Sequence, residues 1–491
     1  MIKNLLYTLK HLMQVLLVIL ILCSTICIAK AQANKNILAT IGNKTITIAE
    51  FKARSEFTVR PVNYKDKTIT LNNLIIEKIL ALEAGKNYPL ASHLGFQARL
   101  KGIKEQTMRE LLYRNVAYNK TAVDNSKIKS TYTLSKREYE LEFYRMHKNM
   151  AQRIKTVIDS ASEKIDNIFK DLSEVVGNQP VRKVNYKDPD DDAIHEALYS
   201  KPLHVGEVVG PIELSNGEYL VMKVLNWTTY PLIGEIDQQE QWSIVQEKEH
   251  RILASKVWQS YQSKIMRGKK IEFNGKTFIQ LAHWARDKYL SEQNKKTLAE
   301  NGISEIPFKA SGLDLSAPFF TFENRTWTVG DFRDELMSHP FLFRTTHLDT
   351  INFNEQFKLA VVDIMKDHCL TREAYKKSLD KEEDVARTVE MWKDAFVAND
   401  QQKNVIEAAI KKGRIMENDA LEILKYWESY VSDLQKKYKS SVNVNVAAFQ
   451  NIPLTKIDMV ALKPGMPYPN IVPNFPTFVY SKTFDFIIQK E

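Results

Sequence analysis

The 491-residue chain has three cysteines, and two of them, Cys23 and Cys27, fall in a hydrophobic stretch near its start. Without that stretch Cys369 stands alone, which excludes an internal disulfide and a cysteine-rich metal site. The ten histidines form no cluster at metal spacing. There is no HExxH, no GxSxG elbow and no Gly-x-x-x-x-Gly-Lys loop, so no metal, cofactor or ATP enters the expected chemistry. His368 beside Cys369 invites a nucleophile reading, but neighbours on a helix point about 100° apart and cannot share a proton side by side. Cys369 reads instead as a small apolar core residue. The formal net charge is +9, falling to +6 if Lys3, Lys10 and Lys30 leave with a leader. That surplus is spread out, with short clusters at 267–270 and 436–439 and no aromatic-interleaved basic face. A nucleic-acid role is thereby disfavoured, and a weak attraction to anionic membrane surfaces or acidic clients remains.

The start of the chain carries an export signature. Residues 1–11 hold Lys3 and Lys10 and no acid, residues 12–29 are almost unbroken apolar, and Ala29-Lys30-Ala31 puts small residues where a signal peptidase reads. Cleavage after Ala31 and delivery to the periplasm are expected. The alternative is an inner-membrane anchor, since roughly 18 apolar residues just span a bilayer.

Residues 38–52, LATIGNKTITIAEFK, and 319–333, FFTFENRTWTVGDFR, align without a gap, with five of fifteen positions identical. The echo continues: LIIEKILALEA at 74–84 matches IMKDHCLTREA at 364–374, and Trp258-Gln-Ser-Tyr261 returns as Trp427-Glu-Ser-Tyr430. Three matched segments in one order are what a duplicated module leaves behind. Each copy reads strand, turn, strand, helices, a Trp/Tyr helix, then a strand. The tryptophans and tyrosines of that helix read either as core residues or as part of an apolar cradle.

About 52 residues separate Ala374 from Trp427 in the second copy, against about 173 between Ala84 and Trp258 in the first. An insertion of roughly 120 residues is large enough to be a domain. Within it, 139–146 (YELEFYRM) reads as a strand, the apolar positions from Ala151 to Val176 recur at helical spacing, and 218–225 (EYLVMKVL) reads as a closing strand. Gly206, Gly210-Pro211 and Ser215-Asn-Gly217 supply turn signals.

HVGEVVGPIELSNGEYLVMKV at 204–224 resembles the C-terminal β-turn-β segment of parvulin-type peptidyl-prolyl isomerases, and Phe169-x-x-Leu172-Ser173 resembles their first long helix. IGNKTITIAEF followed by LIIEKILALEA is similar to the N-terminal region of the exported parvulin chaperones, the SurA-like group, which escort outer-membrane proteins. The resemblance implies an α+β, mostly helical protein: a duplicated helical chaperone module with an inserted parvulin-like α/β domain. The expected boundaries are a signal peptide at 1–31, an N-terminal helical module at 32–133 and the parvulin-like domain at 134–228. A helical segment at 229–315 completes the first module, the second module spans 316–440, and a strand with a Pro-rich extended tail follows at 441–491.

Isomerising an X-Pro bond means lowering a barrier of about 18–20 kcal/mol. The family does so with an apolar proline pocket and two facing histidines. The position of the second histidine is Leu220 here, which cannot hydrogen-bond through its side chain. The candidate for the first is His147, followed by Lys148 and Asn149 where the family has Ile and Leu. The resemblance puts Phe169, Ile194, Leu220 and Met222 at the substrate pocket and His147 in the catalytic role. It implies a chaperone that holds unfolded exported proteins without ATP, its isomerase domain degenerate. Two alternatives stand beside it: an active isomerase, and a cell-envelope interaction protein with one stable partner. Five prolines between 464 and 476 exclude a helix there, leaving a tail ordered by packing Phe475, Phe478 and Tyr480, or a tether.

Overall fold

The computed structural model describes residues 36–56, 67–86, 88–160, 165–176, 180–290, 312–344, 348–454, 472–479 and 486. The expected leader and Tyr480 lie outside them. Among the described residues no helix is long and apolar enough to cross a membrane. The protein is α+β and mostly helical. Its strands are β1 (Ile37–Ile41), β2 (Lys44–Thr47), β3 (Arg137–Met146), β4 (Val181–Val184), β5 (Val208–Glu213), β6 (Tyr219–Thr229), β7 (Ile271–Phe273), β8 (Pro318–Phe322), β9 (Arg325–Thr328) and β10 (Val442–Val444). They form three antiparallel sheets, in the orders β10-β1-β2, β4-β3-β6-β5 and β7-β8-β9.

The chain divides into two compact units. One draws on residues 1–93, 389–461 and 471–491, the other on 94–388 and 462–470. Among the described residues, 229–290 lie in the same unit as the β8-β9 hairpin and 389–440 in the same unit as the β1-β2 hairpin.

In the first unit, β1 turns into β2 through Gly42, at φ +56°, and Thr47 Oγ1 caps the next helix, Ile48–Glu56, by accepting from Glu50 N at 3.0 Å. The helix Lys67–Ala84 is buried without a break from Ile69 to Ala81. A helix that is apolar all round belongs inside a core, but this one also carries Asn72, Asn73, Glu77 and Lys78 there, so each needs partners. Arg54 donates to both Glu77 carboxylate oxygens at 2.9 and 2.8 Å. Lys78 Nζ lies 2.7 Å from Glu50 and 3.1 Å from Asp394. Burial would discharge that ammonium, but Glu50, Asp394 and Glu77 outweigh it and raise the group above its ordinary value. Asn73 serves the tail: its Oδ1 accepts from Phe478 N (2.7 Å) and Val479 N (3.0 Å), and its Nδ2 donates to Val479 O (3.0 Å). Phe475, Phe478 and Phe486 are buried with it, so the described part of the tail packs as an ordered extended segment.

In the second unit, β8 and β9 repeat the strand register of the first hairpin but not its turn, where Gly42 alone has a positive φ. The turn residues Glu323 and Asn324 have φ +49° and +61°, the left-handed pair that suits the strand twist. Glu323, an uncommon residue for that conformation, is held by Arg372 at 2.7 Å and by Lys269. Thr328 and Asp331 form a reciprocal capping box on the helix Val329–Ser338. In both hairpins a bulge falls at the same place, between Ile37 and Ala39 and between Pro318 and Phe320. In both, a third strand joins in the same register: Val442, Asn443 and Val444 oppose Ile41, Thr40 and Ala39, and Ile271, Glu272 and Phe273 oppose Phe322, Thr321 and Phe320.

The strand that follows the Trp258 helix thus pairs with the second hairpin, and the one that follows the Trp427 helix pairs with the first. The two sheets differ in the side chains they bring to their cores. The first sheet contributes the aliphatic Leu38, Ala39, Ile41 and Ile46 to a core that takes Val442. The second packs Phe319, Phe320, Phe322 and Trp327, and Phe273 meets Phe319 and Phe320 at ring distances of 5.7 and 6.0 Å. Trp258 and Trp427 are core residues, each stacked on the tyrosine three positions on. Cys369 is buried, and burial pushes its thiol up.

The helices Leu94–Val116 and Val329–Ser338 cross where Gly102 leaves no room: a Cβ there would sit 1.9 Å from the Ser338 carbonyl oxygen. One turn on, Glu105 Oε2 lies 2.6 Å from His339 Nε2, and Tyr375 donates to Oε1 at 3.2 Å. Gly102→Ala should therefore force the two backbones apart and destabilise the protein by about 1–3 kcal/mol. An unchanged urea midpoint in the variant would contradict this packing.

Candidate functional site

The α/β body is the sheet β4-β3-β6-β5, built on the full-length pairing of β3 with β6 from Arg137↔Thr229 to Met146↔Tyr219. The expected strands are in place. The helical stretch from 151 to 176 comprises two helices, Lys148–Asp159 and Ile165–Val176. Alternation along β6 sends Leu220, Met222 and Val224 into one core and Val221 into another. The first core holds Ile194, Leu198 and Tyr199 from the helix Asp192–Tyr199, together with Tyr139, Leu141 and Tyr186. The second holds Phe169, Leu172, Ala151 and Ile154 with Tyr144 and Met146.

The four residues assigned to a proline pocket are therefore divided. Ile194, Leu220 and Met222 share one core, and Phe169 belongs to the other. Leu220 is only 4% exposed. His147 stands just past β3 as the N-cap residue of the helix Lys148–Asp159; it is exposed and makes no side-chain cap bond. Its carbonyl accepts from Met150 N and Ala151 N, both at 3.0 Å, so its described role is to start a helix. The structure does not bring His147 together with the four apolar positions in one core.

A different set of polar residues converges under the first core. His195, 1% exposed, lies with Nε2 3.0 Å from Lys248 Nζ and 3.0 Å from the Asp188 carbonyl oxygen. Lys248, on the long helix Glu235–Met266, also donates to Tyr186 O at 2.7 Å and sits over the Tyr186 ring. A protonated Lys248 needs Nε2 as acceptor, which puts the ring proton on Nδ1, and Nδ1 is buried with no hydrogen-bond partner. Burial and the Lys248 ammonium push His195 down to about 4. Burial and Arg251 push Lys248 down to about 8. Around this couple Arg251 grips Asp192 through Nη2 and Nε at 2.6 and 3.2 Å, and Gln241 Nε2 donates to Ser135 Oγ at 3.0 Å.

The couple joins the long helix to the α/β body, and its burial keeps it from meeting a substrate. Sequence reasoning passed over it, although the signal is there: His195 sits beside Ile194 on an apolar helix face, and Lys248 falls between Val245 and Ile252 at helical spacing. Among the described residues no group of three or more His, Cys, Asp and Glu could hold a metal ion.

Because His195 titrates near 4 in the native chain and near 6.5 when unfolded, the unfolded chain takes up a proton in that window that the native one refuses. Stability should fall as the pH drops from about 6.5 to about 4, by up to roughly 3 kcal/mol. His195→Gln should flatten that part of the curve in urea unfolding across pH, and an unaltered slope would remove His195 from the account.

No family model and no curated protein sequence matches the chain. Solved structures similar to it include the foldase protein PrsA of Streptococcus pneumoniae, at 15% identity over 45% of this chain and 91% of that one, with a TM-score of 0.18. The foldase protein PrsA of Lactococcus lactis has 15% identity over 46% of this chain and 92% of that one, TM-score 0.18. The peptidylprolyl isomerase PrsA of Bacillus cereus has 17% identity over 46% and 92%, TM-score 0.18. At that identity and TM-score the likeness carries no argument about this chain's activity.

Proposed function

We propose that this protein is an exported, periplasmic chaperone that holds unfolded envelope or outer-membrane proteins without ATP, and that its α/β body is a parvulin-like domain with a degenerate isomerase site. The observation that carries the reading is the fate of the second-histidine position. Leu220 is a core residue on the same face as Ile194 and Met222, while His147 stands exposed at a helix start. A body without a facing imidazole pair has lost its means of proton and hydrogen-bond chemistry, and what remains useful in such a protein is binding.

We further infer that the two hairpins descend from one duplicated module. Five identical positions in fifteen, the same bulge, a threonine cap at the same place and the same third-strand register support this. The expected leader supports export. Large apolar side chains left in solvent, Ile233, Ile236, Leu342 and Ile351 among them, are surfaces on which exposed client segments can be buried at roughly 25 cal/mol per Å².

Two assays test the reading. Near-stoichiometric amounts of the mature protein should suppress aggregation of an unfolded outer-membrane protein diluted from urea. Proline isomerisation of an X-Pro test peptide should stay at the uncatalysed rate. Brisk isomerisation that disappears in His147→Ala, with no suppression of aggregation, would replace the chaperone by the enzyme.

A further inference from the structure

We propose that the slot holding residues 472–479 in the first unit is a binding site for extended, aromatic-bearing polypeptide segments, occupied here by the protein's own chain. The proposal rests on the chaperone reading and names the site that reading lacks. The segment VPNFPTFV has no helix or strand of its own, and Pro473 and Pro476 hold it extended. Pro473, Phe475, Pro476, Phe478 and Val479 are buried while Asn474 and Thr477 face solvent. Phe475 packs on Ile69, and Phe478 and Val479 enter the core beside Trp427.

The polar contacts that fix it go to main-chain atoms. Arg54 Nη2 donates to Asn474 O at 2.9 Å, and Trp427 Nε1 donates to Phe478 O at 2.8 Å. Asn73 bonds Phe478 N, Val479 N and Val479 O as described above. Main-chain atoms are common to every polypeptide, so these contacts select an extended backbone and leave the sequence free apart from two apolar anchors three residues apart.

The receptor groups are also held by bonds that do not involve the segment. Glu77 grips the Arg54 guanidinium, Tyr430 stacks on Trp427 at 5.5 Å, and Asn73 Nδ2 bonds Ile69 O at 3.0 Å. A preorganised receptor loses little freedom on binding. The occupying segment is joined covalently to it, so a free peptide must compete against a high local concentration.

The experiment loosens the occupant in the full-length mature chain by Phe475→Ala with Phe478→Ala. Binding of two fluorescein-labelled dodecapeptides is then followed by anisotropy. One carries residues 470–481; the other keeps only the two phenylalanines three apart in an otherwise scrambled sequence. The loosened protein should bind both at least tenfold more tightly than wild type, and adding Asn73→Ala should remove that gain. A folded, loosened protein that binds neither peptide, or only its own sequence, overturns the proposal. If circular dichroism shows the loosened variant unfolded, a protease site placed between Pro464 and Met466 in the otherwise native chain replaces it. After cleavage, exchange of the severed segment for both labelled peptides supports the site, and exchange for neither or for its own sequence alone overturns it. Aggregation suppression is measured separately, so a peptide site without holding activity tells against the function, and holding activity without a peptide site tells against this slot.

Discussion

A helix enclosed on every side has no water with which to satisfy a polar side chain, and the first unit is organised around that constraint. Asn72, Asn73, Glu77 and Lys78 all lie within the buried run of the helix Lys67–Ala84. An unpaired buried polar group costs about 1–3 kcal/mol, and an unpaired charge more. The partners come from distant parts of the chain: Glu50 and Arg54 from the helix after the first hairpin, Asp394 from the helix Glu383–Lys411, and the main chain of Asn474, Phe478 and Val479 from near the end. Apolar burial alone would hold these segments in many registers, whereas the polar groups accept one. Lys44 strengthens the same knot, bonding Glu390 and Asp394, with its ammonium raised above its ordinary value as those carboxylates outweigh its burial.

Much of the backbone was legible in the residues. The matched pairs Thr47/Thr328 and Phe51/Phe332 stand for a helix cap and a buried anchor, and hairpin, cap and period-two alternation are all local patterns. The pairing of third strands was not legible. VNV and IEF are both acceptable strands, and the choice between the two hairpins depends on packing against distant elements, which only the assembled fold reveals. The division of Phe169 from Ile194, Leu220 and Met222 was hidden for a related reason. Alternation assigns residues of one strand to two faces, but nothing local says which face a helix elsewhere in the chain will cover.

Polar residues inside the α/β body were the hardest to foresee, because their meaning depends on partners far away in sequence. His195 resembles any helix-face histidine until Lys248, 53 residues on, is placed 3.0 Å from it. The neighbourhood then becomes intelligible. Two basic groups share a dry site, burial lowers the tendency of each to hold a proton, the Lys248 ammonium lowers His195 further, and the Tyr186 carbonyl accepts a hydrogen bond from Lys248. The body thus holds an imidazole in its interior at a place that fastens a helix.

The same economics of buried hydrogen bonds separates the two kinds of chain that a holding protein encounters. In the slot beside Asn73 the receptor offers donors from Arg54 and Trp427 and both donor and acceptor from one amide. A helical segment has already spent its main-chain groups on itself and would leave the Trp427 indole N–H and the Asn73 Oδ1 unmet in a dry core. An extended segment arrives with its groups free and completes them. Discrimination by roughly 1–3 kcal/mol for each group left unmet would make the proposed slot favour extended over helical chain.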